Sequence, residues 1–81
     1  MEARTAFQLR VRELCESQNL TIYALAKRAN LPRTTLLSAM DPVRGNPSLK
    51  TIAAVASGFR VSLAEFFDAG VFDEYESITH D

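Results

Sequence analysis

Apolar positions recur with helical spacing along most of this chain, and most clearly between Leu20 and Met40, LTIYALAKRANLPRTTLLSAM. Ile22, Leu25, Ala26 and Ala29 stand at i, i+3, i+4 and i+7, which gathers them on one helix face. Thr21 precedes that run and can cap it, because its hydroxyl accepts from the free N–H groups of the turn ahead. Asn30 follows the last periodic residue and tolerates the left-handed conformation that reverses a chain, leaving Leu31 to plug the corner. Pro32 fixes φ and lacks an N–H, so it predicts the first residue of a second helix. That helix buries Leu36, Ala39 and Met40 and turns Arg33, Thr34, Leu37 and Ser38 outward.

The same spacing predicts three further helices. Phe7, Val11, Leu14 and Cys15 form the inner stripe of a helix from about Arg4 to Gln18, closed by Asn19. Ser48 caps a fourth-region helix with Leu49, Ile52, Ala53, Val55 and Ala56 packed inward, which Gly58 stops. Ser62 and Glu65 have capping-box spacing and open a short helix through Leu63, Phe66 and Phe67, the two rings serving as core and lid. DPVRGNPS, which follows Met40 and ends on the Ser48 cap, is a loop. The expected architecture is all-α: one compact five-helix domain over residues 1–69, with a two-helix motif at 21–40 and a short acidic C-terminal tail at 70–81.

The outward face of the second motif helix suits base edges. Arg33 can pair bidentately with guanine, the hydroxyls of Thr34 and Ser38 donate or accept, and Leu37 can lie against a thymine methyl. Here the sequence resembles the lambda-repressor-like, Cro/cI-type (XRE) family of helix-turn-helix DNA-binding domains. The likeness covers roughly Phe7 to Phe67 and rests on FQLRVREL, LTIYALAKRANLPRTTL and NPSLKTIAAVASGFRVSLAEFF in register.

The resemblance implies sequence-specific binding of double-stranded DNA by a homodimer on two half-sites, and a transcriptional regulator, in the simplest case a repressor acting by operator occupancy. It implies Arg33, Thr34, Leu37 and Ser38 at base edges, and Thr21, Lys27, Arg28, Arg44, Asn46 and Lys50 at the sugar-phosphate backbone, where contacts position without reading sequence. Asn19 and Asn30 stand where the family commonly has Gly. Ile22 replaces a frequent phosphate-steadying Gln, and Pro32 replaces a Ser or Thr cap. Cys15 and Met40 stand where members often pair Arg with Glu. Exchanging both partners of a buried pair for apolar groups strands no charge, so these two side chains are expected to touch.

Charge changes the picture only when divided along the chain. The formal net charge is −1, yet Met1 to Arg60 holds nine Lys and Arg against four acids, a net of +5, and Val61 to Asp81 holds six acids and no base, a net of −6. A basic half can meet phosphates while the acidic end faces away. A solvated surface with an acidic tail is the plainer alternative. For the tail itself, with Val71, Phe72 and Tyr75 among its acids and His80 near its end, two readings compete: an end folded over the core, or a segment docked on a second subunit. The second is preferred.

Other chemistry is sparse. One Cys makes no internal disulfide and, with one distant His, no zinc site, so Cys15 is expected in the core. No constellation of nucleophile, base or paired carboxylates in an apolar setting occurs, and no metal, cofactor, small-molecule substrate or enzymatic activity is expected. The 81 residues are 47% hydrophobic without a run of the roughly 18 apolar residues that a membrane span requires, and MEARTAFQLR has no signal-peptide core, so a cytoplasmic location is expected. The competing functional reading is a protein-interaction module on the same fold, an antitoxin or anti-repressor partner, for which an exposed Leu37 and an acidic tail are suitable surfaces.

Overall fold

Helix ends organise this chain, and three of them share one device. In the computed structural model, which describes residues 1–74, α1 spans Ala3–Gln18 and ends at Asn19 with φ 55°. The chain continues through α2, Ile22–Arg28, and reverses at Asn30 with φ 56°. After each left-handed residue, the next N–H returns to a carbonyl five positions back: Leu20 to Cys15 at 2.8 Å and Leu31 to Ala26 at 2.9 Å. Leu20 and Leu31 then pack against the core, the hydrophobic contact that accompanies this motif.

The starts of the helices are equally local. Thr21 Oγ1 accepts from the Ala24 N–H at 3.0 Å and opens α2. Ser48 Oγ accepts from Thr51 at 3.1 Å and opens α4, Leu49–Gly58. At α5, Leu63–Phe67, Ser62 and Glu65 form the complete capping box, each side chain accepting from the other's backbone N–H. α3 spans Arg33–Ala39, and here the expectation is corrected: Pro32 precedes the helix instead of opening it. Its ψ of 141° is extended while its carbonyl accepts from Thr35 and Leu36, so it occupies the cap position without a side-chain bond to give.

Two expectations for α4 also need correction. Leu49 is 68% exposed, because the buried stripe begins a turn later and runs through Val55 and Ala56 to Phe59, with Ile52 partly buried at its start. Gly58 does not stop the helix by a positive φ; Arg60 does, at φ 61°, with the Val61 N–H returning to Ala56 at 3.0 Å. Gly58 serves packing. A Cβ there would lie 3.1 Å from the Ala29 N, the Ala29 Cβ and the Leu25 Cδ1, so its bare backbone lets α4 approach α2.

One core joins the five helices. Phe7, Val11, Leu14 and Cys15 from α1 meet Leu25 and Ala26 from α2, Leu36 and Ala39 from α3, Val55, Ala56 and Phe59 from α4 and its end, and Phe66 from α5. Cys15 is buried, which pushes its thiol pKa up by desolvation, and Met40 packs against the same cluster from the end of α3. Phe66 is fully enclosed while Phe67 remains 41% exposed.

Beyond α5, Gly70–Asp73 forms a 3-10 turn that sets the Phe72 ring 6.0 Å from Phe66 and 4.9 Å from Phe67. The first residues of the expected tail thus fold over the chain's own core, and the packed body extends past residue 69. Tyr75 and His80 lie outside the described residues. Among the described residues there is no β-strand, and no helix is long and apolar enough to cross a membrane.

Candidate nucleic-acid interface

The α2–α3 pair divides its residues as the spacing predicts. Leu25, Ala26, Ala29, Leu36 and Ala39 are buried, Ile22 and Met40 partly so, and Arg33, Thr34, Leu37 and Ser38 are all exposed on α3. Thr35 is half-buried between these sets.

Beside α3, the loop and the start of α4 enclose a groove of about 320 Å³. It gathers Ser38 with Arg44 and Asn46, three expected site residues, and adds the hydroxyls of Thr35, Ser48 and Thr51, with Ala39 and Pro47 completing the wall. Ser48 Oγ also donates to Thr51 Oγ1 at 3.1 Å. A guanidinium, an amide and several hydroxyls around one cleft provide donors for phosphate oxygens. Thr35 and Thr51 were not foreseen as site residues. Each is one position off the outward face or inside a helix, and only the fold brings them to one cleft.

The loop is shaped by Asp41, the one acid between Ser17 and Arg60. Its Oδ1 accepts from the N–H groups of Val43 and Arg44, both at 2.8 Å. Those bonds, first to Arg44 and then to Val43, hold the carboxyl pKa below the usual carboxylate range, with the Arg4 charge adding to the effect. From α1, Gln8 Nε2 donates to the carbonyls of Ala39 and Asp41 at 3.2 and 2.8 Å, and Arg4 donates to those of Gly45 and Pro42 at 2.7 and 3.2 Å. The loop beside the groove is therefore held by α1, through side chains that the apolar spacing does not single out.

The other expected residues do not line the groove. Thr21 is exposed and its hydroxyl oxygen serves the α2 cap, while the O–H can still donate outward. Lys27 and Arg28 are exposed in the last turn of α2, where cations complement the helix dipole, and Lys50 is exposed in the first turn of α4. Arg33 sits at the first position of α3 with its Cζ 4.2 Å from the centre of the Tyr23 ring, which comes from the first turn of α2.

The three basic residues of α1 behave differently. Arg10 donates to the Phe66 and Glu65 carbonyls and to Glu13, and Arg4 to the loop and Glu2, so both are committed to the fold. Arg12 is exposed on α1. Among the described residues no group of His, Cys, Asp and Glu is placed to hold a metal ion. Comparison with protein-family models, curated proteins and solved structures finds no match for this chain.

Proposed function

We propose that this chain is a lambda-repressor-like, Cro/cI-type helix-turn-helix domain that binds double-stranded DNA sequence-specifically as a homodimer. In this reading it regulates transcription, repressing by occupancy of its operator. The observation that supports it most is the joint exposure of Arg33, Thr34, Leu37 and Ser38 on α3 beside a groove that unites Ser38 with Arg44 and Asn46. A helix with base-compatible side chains next to a cluster of phosphate-compatible donors can place one in a major groove while the other grips the adjoining strand. The local charge agrees, since Asp41 is the only acid against six Lys and Arg between Ser17 and Arg60, and its carboxylate is turned to its own loop.

The test is selection of bound duplexes from a random DNA library at near-physiological salt, with Arg33→Ala beside the wild type. The expected result is a palindromic consensus whose recognition at one base position is blurred in the variant, at a cost of about 1–3 kcal/mol. Lys27→Ala should weaken binding to all sequences and reduce the salt slope by about 1. A folded wild type that enriches nothing overturns the proposal.

One observation favours the protein-interaction reading: Leu37, Val43 and Leu49 are 46, 72 and 68% exposed, more aliphatic surface than phosphate contact requires. Under that reading Leu37→Ala abolishes partner binding and Arg33→Ala is silent. Phe72→Ala is a poor discriminator, because its ring packs on Phe66 and Phe67 and its loss affects the fold itself.

A further inference from the structure

We infer that Tyr23 is a positioning residue for Arg33, holding its guanidinium over the ring so that the arginine reaches DNA already oriented. The inference rests on the DNA-binding reading above. The arginines of this fold are used in two ways. Arg4 and Arg10 spend their donors on carbonyls of their own chain. Arg33 has its Cζ 4.2 Å from the Tyr23 ring centre, yet its side chain makes no hydrogen bond or ion pair among the described residues. A cation held by a ring's π face uses none of its five N–H donors, so the whole fork remains for an incoming acceptor.

The placement has no evident value to the core. Tyr23 is 56% exposed, Arg33 is exposed, and neither belongs to the hydrophobic cluster. It does have a value to recognition. A free arginine side chain samples many rotamers, and ordering it on binding subtracts from affinity; a side chain already restrained loses less. The ring also ties the first turn of α2 to the first residue of α3, fixing the guanidinium relative to both helices of the motif. Tyr23 then influences one base position through Arg33, without touching that base.

The experiment uses the duplex enriched from the random library, with Tyr23→Leu, Tyr23→Phe, Arg33→Ala and the double variant Tyr23→Leu/Arg33→Ala, all checked for unchanged thermal melting. Tyr23→Leu keeps apolar bulk and removes the π face. It should weaken binding about 2- to 5-fold, the scale of an exposed cation–π contact, and blur the same base position that Arg33→Ala blurs. Tyr23→Phe should restore wild-type affinity and specificity, because the ring and not the hydroxyl is required. In the Arg33→Ala background, Tyr23→Leu should add nothing measurable. Equal losses from Tyr23→Leu in both backgrounds, loss with Tyr23→Phe, or blurring at a different position would each overturn the inference while leaving DNA binding intact. A wild type that selects no duplex removes the DNA-binding reading and this inference together.

Discussion

The side-chain amide of Gln8, in the first helix, reaches the carbonyl of Asp41 at 2.8 Å and that of Ala39 at 3.2 Å, and so ties the start of the chain to the loop that carries Arg44 and Asn46. Gln8 is 5% exposed and is the one buried polar side chain of the described core. Gly45 makes its reach possible: a Cβ there would stand 2.9 Å from Gln8 Nε2 and 2.5 and 2.6 Å from the Ala39 and Asp41 carbonyl oxygens. Burying an amide is tolerable because both of its donors find acceptors; removing it takes the side-chain donor from the Ala39 carbonyl and leaves the Asp41 carbonyl with the Gly45 N–H at 2.9 Å.

Gln8→Ala is therefore expected to destabilise the fold by about 1–3 kcal/mol. Gln8→Glu should cost more at neutral pH, since a carboxylate would face two carbonyl oxygens. Gly45→Ala should loosen the same corner by displacing the amide. Chemical denaturation of the three variants checks this. A midpoint for Gln8→Ala equal to the wild type would show that the tie is not a stabilising one.

Arg10 makes the corresponding tie at the other side of the core. Its Nε donates to the Phe66 carbonyl at 2.6 Å and its Nη2 to the Glu65 carbonyl at 2.7 Å, satisfying the end of a five-residue helix too short to be stable alone. Arg10→Met keeps the apolar stem and removes the charge-assisted donors. A loss of about 1.5–3 kcal/mol is expected, with amide exchange accelerated first in α5 and the Gly70–Asp73 turn that packs on it. Uniform acceleration over all helices would argue against a local role.

How much of this was legible follows from the distance over which each cause acts. Thr21, Asn19, Asn30, Ser48 and the Ser62–Glu65 box act within a few residues, and the structure forms each as its local sequence dictates. The outward set on α3 was legible for the same reason, being the complement of Leu36 and Ala39 on one helix. Gln8, Arg4 and Arg10 were not, because their acceptors lie 31 to 56 residues away and no spacing rule encodes them. The groove is unreadable from sequence on the same ground, as α3, the loop and α4 each give only part of its wall. For Phe72 the sequence left two readings, an end folded over the core or a segment docked on a second subunit, and the one not preferred is the one its ring contacts with Phe66 and Phe67 bear out, contacts that no local spacing encodes.

The end of α4 shows two local rules giving the wrong residue. Gly58 satisfies the usual preference for a helix stop, yet its role is close approach, while the exposed Arg60 takes the left-handed conformation with no side-chain hydrogen bond or ion pair among the described residues. Arg60→Gly should thus stabilise the fold by about 1 kcal/mol, the cost a side chain incurs in that region. Gly58→Ala should destabilise it by up to about 2 kcal/mol: overpacking of about 1–3 kcal/mol against the backbone of Ala29 is offset only in part by the helix-propensity gain of about 1 kcal/mol. Thermal melts of the two variants should move in opposite directions, and a stabilised Gly58→Ala would refute the packing role.

Asp41 links the groove to pH. Its Oδ1 accepts from the Arg44 and Val43 N–H groups, which lowers its pKa in the folded chain below the value of about 3.9 that an unfolded aspartate has. A carboxyl with a depressed folded pKa contributes stability that is fully present above the unfolded pKa and is lost as pH falls through the folded one. Asp41→Asn retains an oxygen that can accept both bonds but has no proton to gain in this range, so it should keep the loop and lose the acid-side component. The difference in stability between wild type and Asp41→Asn should be constant from about pH 7 to about pH 5 and then shrink toward pH 2, whereas Asp41→Ala should be impaired throughout and bind the selected duplex more weakly at neutral pH, since Arg44 and Asn46 lose their fixed loop. Wild type and Asp41→Asn falling in parallel through that window would show that the carboxylate's bonds do not distinguish the folded from the unfolded chain.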